Sequence, residues 1–193
     1  VEKHGIRETA FRKAPHMGAN FTMLTGVDRV VVALEQGDID AMQAREQLEN
    51  IACRRTFYPR WLIAALVGIS CGSFAALFGG DPTAIACTMA GSGIGMALRL
   101  FLHRRHYVAF MFALASSLTA MLVTGLLLKA FSSETPEAAM AASVLFLIPG
   151  VPLINGAADL FHANYLNGMV RIVMGVVFVV GIAAGVSLAL RIL

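Results

Sequence analysis

The residues best placed to do chemistry lie in one stretch, LIPGVPLINGAADL, from Leu147 to Leu160. Pro149 and Pro152 each remove a backbone donor, which leaves the carbonyls of Leu145 and Ile148 without helical partners. With Gly150 between them they should break any helix that contains them. A second half-helix would then start near Val151–Leu153, with free N–H groups and a partial positive charge facing the break. Asn155 and Asp159, four apart, share one face of that half-helix. Such a set can recognise an anionic group and can carry a proton on Asp159 where burial disfavours its charged form. The plainer alternative is a proline kink healed by neighbouring helices, with Asp159 at the interfacial end of the segment. Arg171 opens the next apolar run, either as an interfacial anchor or as a bidentate partner for Asp159 or a substrate carboxylate.

A second stretch, LFGGDPTAIACTMAGSGIGMALR, covers residues 77–99. Gly79 to Pro82 make a turn into a helix, with Pro82 suited to its first turn. Gly91 and Gly95 leave a smooth helix face, as do the pairs Gly68/Gly72 and Gly181/Gly185, and small residues four apart favour close helix packing in membranes. Thr88 and Ser92 add hydroxyls that are candidates for lining a path. GSGIG is not a dinucleotide loop, because it follows no strand and lies inside an apolar run. Nor does it match an intramembrane serine protease, since Ala90 stands where the first glycine of G-x-S-G belongs. His103, His106 and His162 lack metal spacing, and Cys53, Cys71 and Cys87 read as packing residues. With no nucleophile–base pair, metal cluster or phosphate loop, neither an enzyme, a cofactor nor a metal site is expected.

The elements that position these residues are membrane helices. Hydrophobic residues make up 58% of the 193, charged residues only 14%, and mean hydropathy is +0.73; a soluble domain carries roughly a quarter charged. From Trp61 onward the charges cluster between five long apolar runs: Trp61–Gly80, Pro82–Leu98, Tyr107–Leu128, Ala138–Ala158 and Ile172–Leu190. About 20 residues cross the hydrocarbon. The second run reaches that length only by extending to Leu102, with Arg99 snorkelling to the interface. The proline break falls about 18 Å into the fourth run, nearer the cytoplasmic face, and non-helical backbone at that depth must be sheltered by protein or line a wet cavity.

Arg54, Arg55, Arg60, Arg99, Arg104, Arg105 and Arg171 share one side of this arrangement, and Lys129 and Arg191 the other. The positive-inside rule then places the N-terminus in the cytoplasm and the C-terminus outside. This accounts for the net charge of +3 and pI near 9.0 without nucleic acid. Before the spans, Leu24, Val27, Val30, Val31 and Leu34 mark one amphipathic helix stopped by Gly37. Ala41, Ala44, Leu48, Ile51 and Ala52 mark another, with Asp40 as N-cap. They read as a small cytoplasmic layer rather than a DNA-reading pair. Residues 1–19 show no clear period. The fold class is all-α: a cytoplasmic helical region over 1–60, then a polytopic bundle over 61–193 with five transmembrane helices, the fourth broken by proline.

LIPGVPLINGAADL with NGMVR (167–171) resembles the core signature of the bacterial threonine/serine exporter family, and its YjjP-like large-subunit branch most. LFGGDPTAIACTMAGSGIG resembles that family's second spanning region. GANFTMLTGVDRVVV and LEQGDIDAMQAREQLENI resemble the end of its cytoplasmic part. The likeness covers Gly18 to the C-terminus. It implies a bacterial inner-membrane exporter of threonine and serine, or of small dicarboxylates such as succinate, coupled to protons. It also implies a second small membrane subunit as partner, since one-chain members carry a further membrane half, and a cytoplasmic portion missing before Val1. Homo-oligomerisation is left open. The rival readings are a non-transporting assembly or sensor subunit acting through residues 21–52, and an uncoupled channel.

Overall fold

The computed structural model describes residues 2–3, 6–7, 21–53, 58–105 and 108–193. Arg54, Arg55, His106, Gly18 and the start of the third apolar run at Tyr107 lie outside the described residues. The chain divides into two compact units, Val1–Phe57 and Tyr58–Leu193.

In the first unit Glu2–Lys3 (β1) and Ile6–Arg7 (β2) pair antiparallel. Helix α1 (Phe21–Gln36) ends at Gly37, whose φ of +78° suits glycine. Helix α2 (Ala41–Cys53) is capped by Asp40, whose Oδ1 accepts from the Met42 and Gln43 amides at 2.6 and 2.9 Å. Gln43 returns the bond, its Oε1 accepting from the Asp40 amide at 3.2 Å. The two helices meet through Val30, Ala44 and the Gly26–Ile51 approach. Leu24, Val31, Leu34 and Leu48 remain exposed, so less of the amphipathic face is covered than its periodicity implies.

The second unit consists of helices joined by short turns among its described residues. Helix α3 (Arg60–Leu77) turns at Gly79 and Gly80 into α4 (Pro82–Arg104), followed by α5 (Ala109–Phe131). A short α6 (Pro136–Ser143) passes through a 3₁₀ turn, Leu145–Leu147, into α7 (Gly150–Phe161), and α8 (Tyr165–Ile192) closes the chain. Helices α3, α4, α5 and α8 are each long and apolar enough to span a membrane. The pair α6–α7 passes the same test as one span bent by 60°, which gives a fifth. Leu66, Phe74, Leu77, Val173, Val176 and Val180 lie open on the outer faces. That pattern suits lipid better than water.

The packing is set by small residues. A Cβ on Gly68 or Gly72 would collide with Met89, joining α3 to α4. On Gly91 it would fall 2.8 Å from the Ala120 carbonyl, and on Gly95 3.1 Å from that of Ser116, joining α4 to α5. Gly181 and Gly185 bring α8 against the Phe110 and Leu114 carbonyls of α5. This last register is parallel, with Phe178 stacked edge-on against Phe112 and Leu193 against Gly125. The first half of α8, Tyr165–Val177, therefore precedes the start of α5 and packs on α7 instead, through Gly156, Gly168, Gly175 and Leu153.

Two helices outrun the limits that charge implied. Helix α4 continues past Leu98 to Arg104, and Arg99 on it donates to the Phe146 carbonyl. Helix α8 begins at Tyr165 rather than Ile172, because Arg171 is paired with Asp159 and need not end the helix.

Candidate functional site

The break in the fourth span is built from three consecutive departures from helix. Helix α6 ends at Ser143 and tightens into the 3₁₀ turn, in which the Leu147 amide donates to Val144 at 3.1 Å and the Ile148 amide to Leu145 at 3.2 Å. Ile148 is then extended (φ −59°, ψ 122°), as a residue before proline prefers. The Gly150 amide bonds the Ile148 carbonyl at 2.9 Å, and Leu153 bonds that of Pro149 at 3.2 Å. The carbonyls of Leu145 and Ile148 are thus not left empty as the prolines imply, since the 3₁₀ turn and the Gly150 amide supply their donors. The carbonyl that needs help is that of Phe146, whose helical donor would be the Gly150 amide. It receives Arg99 Nη1 at 3.1 Å. The Cys71 thiol of α3 lies beside the Phe146 backbone, and Gly95 leaves room for the Phe146 ring.

Shelter for the break is partial. Leu147 and Pro149 are buried, but beyond them only Gly156 of α7 is. Asn155 is exposed, as are Val151 and Ile154 beside it. The bundle therefore covers the break itself and leaves one face of α7 open.

Asp159 and Arg171 come together across the α7–α8 hairpin, Nη1 to Oδ2 at 2.8 Å, with side chains 21% and 35% exposed. No N–H is aligned on that oxygen, so this is an ion pair by proximity and not a bidentate fork. Gly156 and Gly168 let the two helices approach closely enough to make it. His162 caps the end of α7, its Nδ1 2.8 Å from the Ala158 carbonyl.

Thr88 and Ser92 sit apart from this hairpin, fully buried against α6 and α3. Thr88 Oγ1 donates to a carbonyl, with Ala84 at 2.8 Å and Ala139 at 3.2 Å in reach, and Ser92 Oγ donates to that of Thr88 at 2.6 Å. They belong to a seam of buried hydroxyls with Ser116, Ser117, Thr124 and Ser143, in which Ser116 Oγ and Thr124 Oγ1 have no protein partner. The described hollows lie elsewhere, one along α3 by Tyr58, Leu62 and Leu66 and one by Phe101, Arg104 and Arg105. Among the described residues no cluster of His, Cys, Asp or Glu could hold a metal.

At the α3–α4 turn Asp81 ties two turns together. Its Oδ1 caps α4 by accepting from Ala84 at 2.9 Å and also accepts from Ser133 Oγ at 2.7 Å and Thr135 Oγ1 at 3.0 Å. The Ser133 hydroxyl, aided by the Ala84 amide and Thr135, holds the carboxyl below its ordinary 3.8 against a smaller opposing effect of desolvation.

Sequence reading missed Arg99, Phe146 and Cys71. The available signal was Arg99 itself, a cation 17 positions into α4, since a charge inside a span is by default functional.

The family described as "Putative threonine/serine exporter" matches residues 2–193. The "Probable succinate transporter subunit YjjP" of Escherichia coli is 35% identical over 191 residues, covering 98% of this chain and 74% of that protein. Its namesake in Klebsiella aerogenes is also 35% identical, over 97% of this chain and 72% of that protein. The "Probable threonine/serine exporter" of Mycobacterium tuberculosis is 26% identical over 95% of this chain but 34% of its own length. No solved structure matches.

Proposed function

The chain belongs to the threonine/serine exporter family, and on that premise we propose that it is a subunit of a proton-coupled secondary exporter of small carboxylates. The observation that carries this reading is the broken fourth span, whose freed Phe146 carbonyl is held by an arginine inside the bundle. Broken helices with charged or polar groups converging on them are how secondary transporters hold small ions near mid-membrane. A dicarboxylate such as succinate is favoured over threonine and serine by the two more similar relatives, both named for succinate. Asp159, half-buried against Arg171, is the candidate proton carrier.

A second, smaller membrane subunit completes the transporter. The relatives' names include the word subunit, and the open face of α7, where the exposed Asn155 lies beside Val151 and Ile154, is where such a partner would pack, since lipid alone leaves the amide unsatisfied. The membrane is the bacterial inner membrane. Arg60, Arg104 and Arg171 face the cytoplasm and the C-terminus lies outside.

The test is uptake of labelled succinate and threonine into inside-out vesicles under an imposed pH gradient, with and without a candidate small subunit. Gradient-driven uptake of one cargo, only with both subunits, is the expected result. Uptake indifferent to the gradient would make the protein a channel. No uptake despite assembly would favour a sensing or assembly role.

A further inference from the structure

Arg99 stands in an unusual electrostatic position. It lies within α4, level with the break, and among the described residues no carboxylate lies within ion-pair distance of it; the two ion pairs there are Arg45–Glu49 and Arg171–Asp159. Its polar contact among the described residues is a neutral carbonyl, at 3.1 Å, which occupies one of the five N–H groups of a guanidinium. A carboxylate binds a guanidinium about twice as strongly as a neutral acceptor does, and can take two N–H groups at once. The Phe146 carbonyl, for its part, has lost its helical donor to the break, because the Gly150 amide bonds Ile148 instead. Cation and carbonyl therefore hold each other for want of better partners. A carboxylate arriving at the remaining N–H groups competes with the carbonyl for the position of the guanidinium.

We propose that Arg99 is a substrate-displaced latch: a cargo carboxylate takes its guanidinium, and the Phe146 carbonyl so released lets the Leu145–Gly150 hinge change its bend. This rests on the carboxylate reading above and adds the residue that recognises the cargo and the step that couples recognition to motion. The 60° bend between α6 and α7 lies immediately beyond the latched carbonyl. Loss of one charged donor there acts directly on the joint, and no relay is required. Cys71 stands beside the same turn, with Ser92 next to it.

The latch predicts opposite effects from its two halves. Arg99→Gln removes the cargo's cation and should raise KM for succinate about tenfold or more, the scale of a lost charge-assisted hydrogen bond; Arg99→Lys should recover part of that. Pro149→Ala lifts the bar to helix at Ile148, so that the Phe146 carbonyl can regain the Gly150 amide. Arg99 is then unlatched in advance, and both KM and kcat should fall. A wild-type KM in Arg99→Gln with only kcat reduced would mean a structural staple and would overturn the proposal.

A second measurement does not depend on the cargo. Leu147 is 1% exposed, so Leu147→Cys, in the two-subunit complex with the native cysteines replaced by alanine, should react slowly with N-ethylmaleimide. Adding Arg99→Gln should speed labelling about tenfold, the scale of one lost charged hydrogen bond, and succinate should speed it only when Arg99 is present. Unchanged labelling on Arg99→Gln overturns the latch whatever is transported. Faster labelling on Arg99→Gln that succinate does not reproduce in the parent means a structural staple and overturns the latch too; labelling that succinate does speed, in a protein that moves neither succinate nor threonine, upholds the latch and removes the transport reading instead.

Discussion

Gly91 is the position at which the helix packing can be tested most sharply. A Cβ there would stand 2.0 Å from Thr124 Oγ1 and 2.8 Å from the Ala120 carbonyl oxygen, against 3.4 Å or more for ordinary contact. The hydroxyl can rotate away, but the carbonyl belongs to the α5 backbone and cannot. Gly91→Ala must therefore push α4 and α5 apart by roughly 0.6 Å, the shortfall at that carbonyl, and overpacking of this kind costs about 1–3 kcal/mol. For a chain of this length that is a fall in melting temperature of about 2–12 °C. Cys71 and Cys87 are 2% and 4% exposed, so a fluorogenic thiol dye added to the protein in detergent micelles reports the transition. Adding Thr124→Ala removes the 2.0 Å contact and leaves the 2.8 Å one, so the double variant should recover part of the loss. An unchanged melting temperature in Gly91→Ala would refute the argument. Complete recovery in the double variant would refute it too, by showing that the hydroxyl and not the backbone sets the helix spacing.

Three further outcomes are expected. Asp81 has its pKa lowered on folding, so its contribution to stability is complete above the ordinary 3.8 and is lost as pH falls through the lower folded value; Asp81→Asn should flatten the acid limb of a melting-temperature profile, and an unaltered limb would remove the turn network from the explanation. Asp159→Asn should abolish gradient-driven uptake while the subunits still co-purify, and normal coupled uptake would exclude Asp159 as the proton carrier. Gly168→Leu drives a side chain into the Gly156 carbonyl and Leu160, so the α7–α8 hairpin should open and proteolysis in the 162–164 turn should quicken, whereas unchanged cleavage would deny that crossing its role.

The spans were legible because composition is a bulk property: apolar runs bounded by charges and prolines announce helices and their interruption before any contact is known. The bend of the fourth span followed from Pro149 and Pro152 for the same local reason. Their effect on the carbonyls did not, because a 3₁₀ turn redistributes donors over neighbouring residues and moves the shortage to Phe146. A charge is costly in lipid, which makes Arg99 read as an interfacial end, and its partner, 47 positions away, is not visible in the sequence. Arg171 ended a span too early for a parallel reason, its countercharge lying on the preceding helix. Thr88 and Ser92 are equally visible as hydroxyls in an apolar run, but whether they face a path or a carbonyl depends on where α6 lies.

The parallel register of α5 and α8 has a mechanical consequence. The later half of α8 is clamped to α5 at Gly181 and Gly185, while its earlier half carries α7 alone beside it. The hairpin is thus a lever with its fulcrum near Phe178 and its load at the 162–164 turn. Over the roughly 19 Å from Tyr165 to Val177, a tilt of about 10° at the fulcrum displaces the tip by about 3 Å. The break at the other end of α7 separates the hairpin from α6, so a small repacking at one glycine crossing would be felt at the tip without dragging α6.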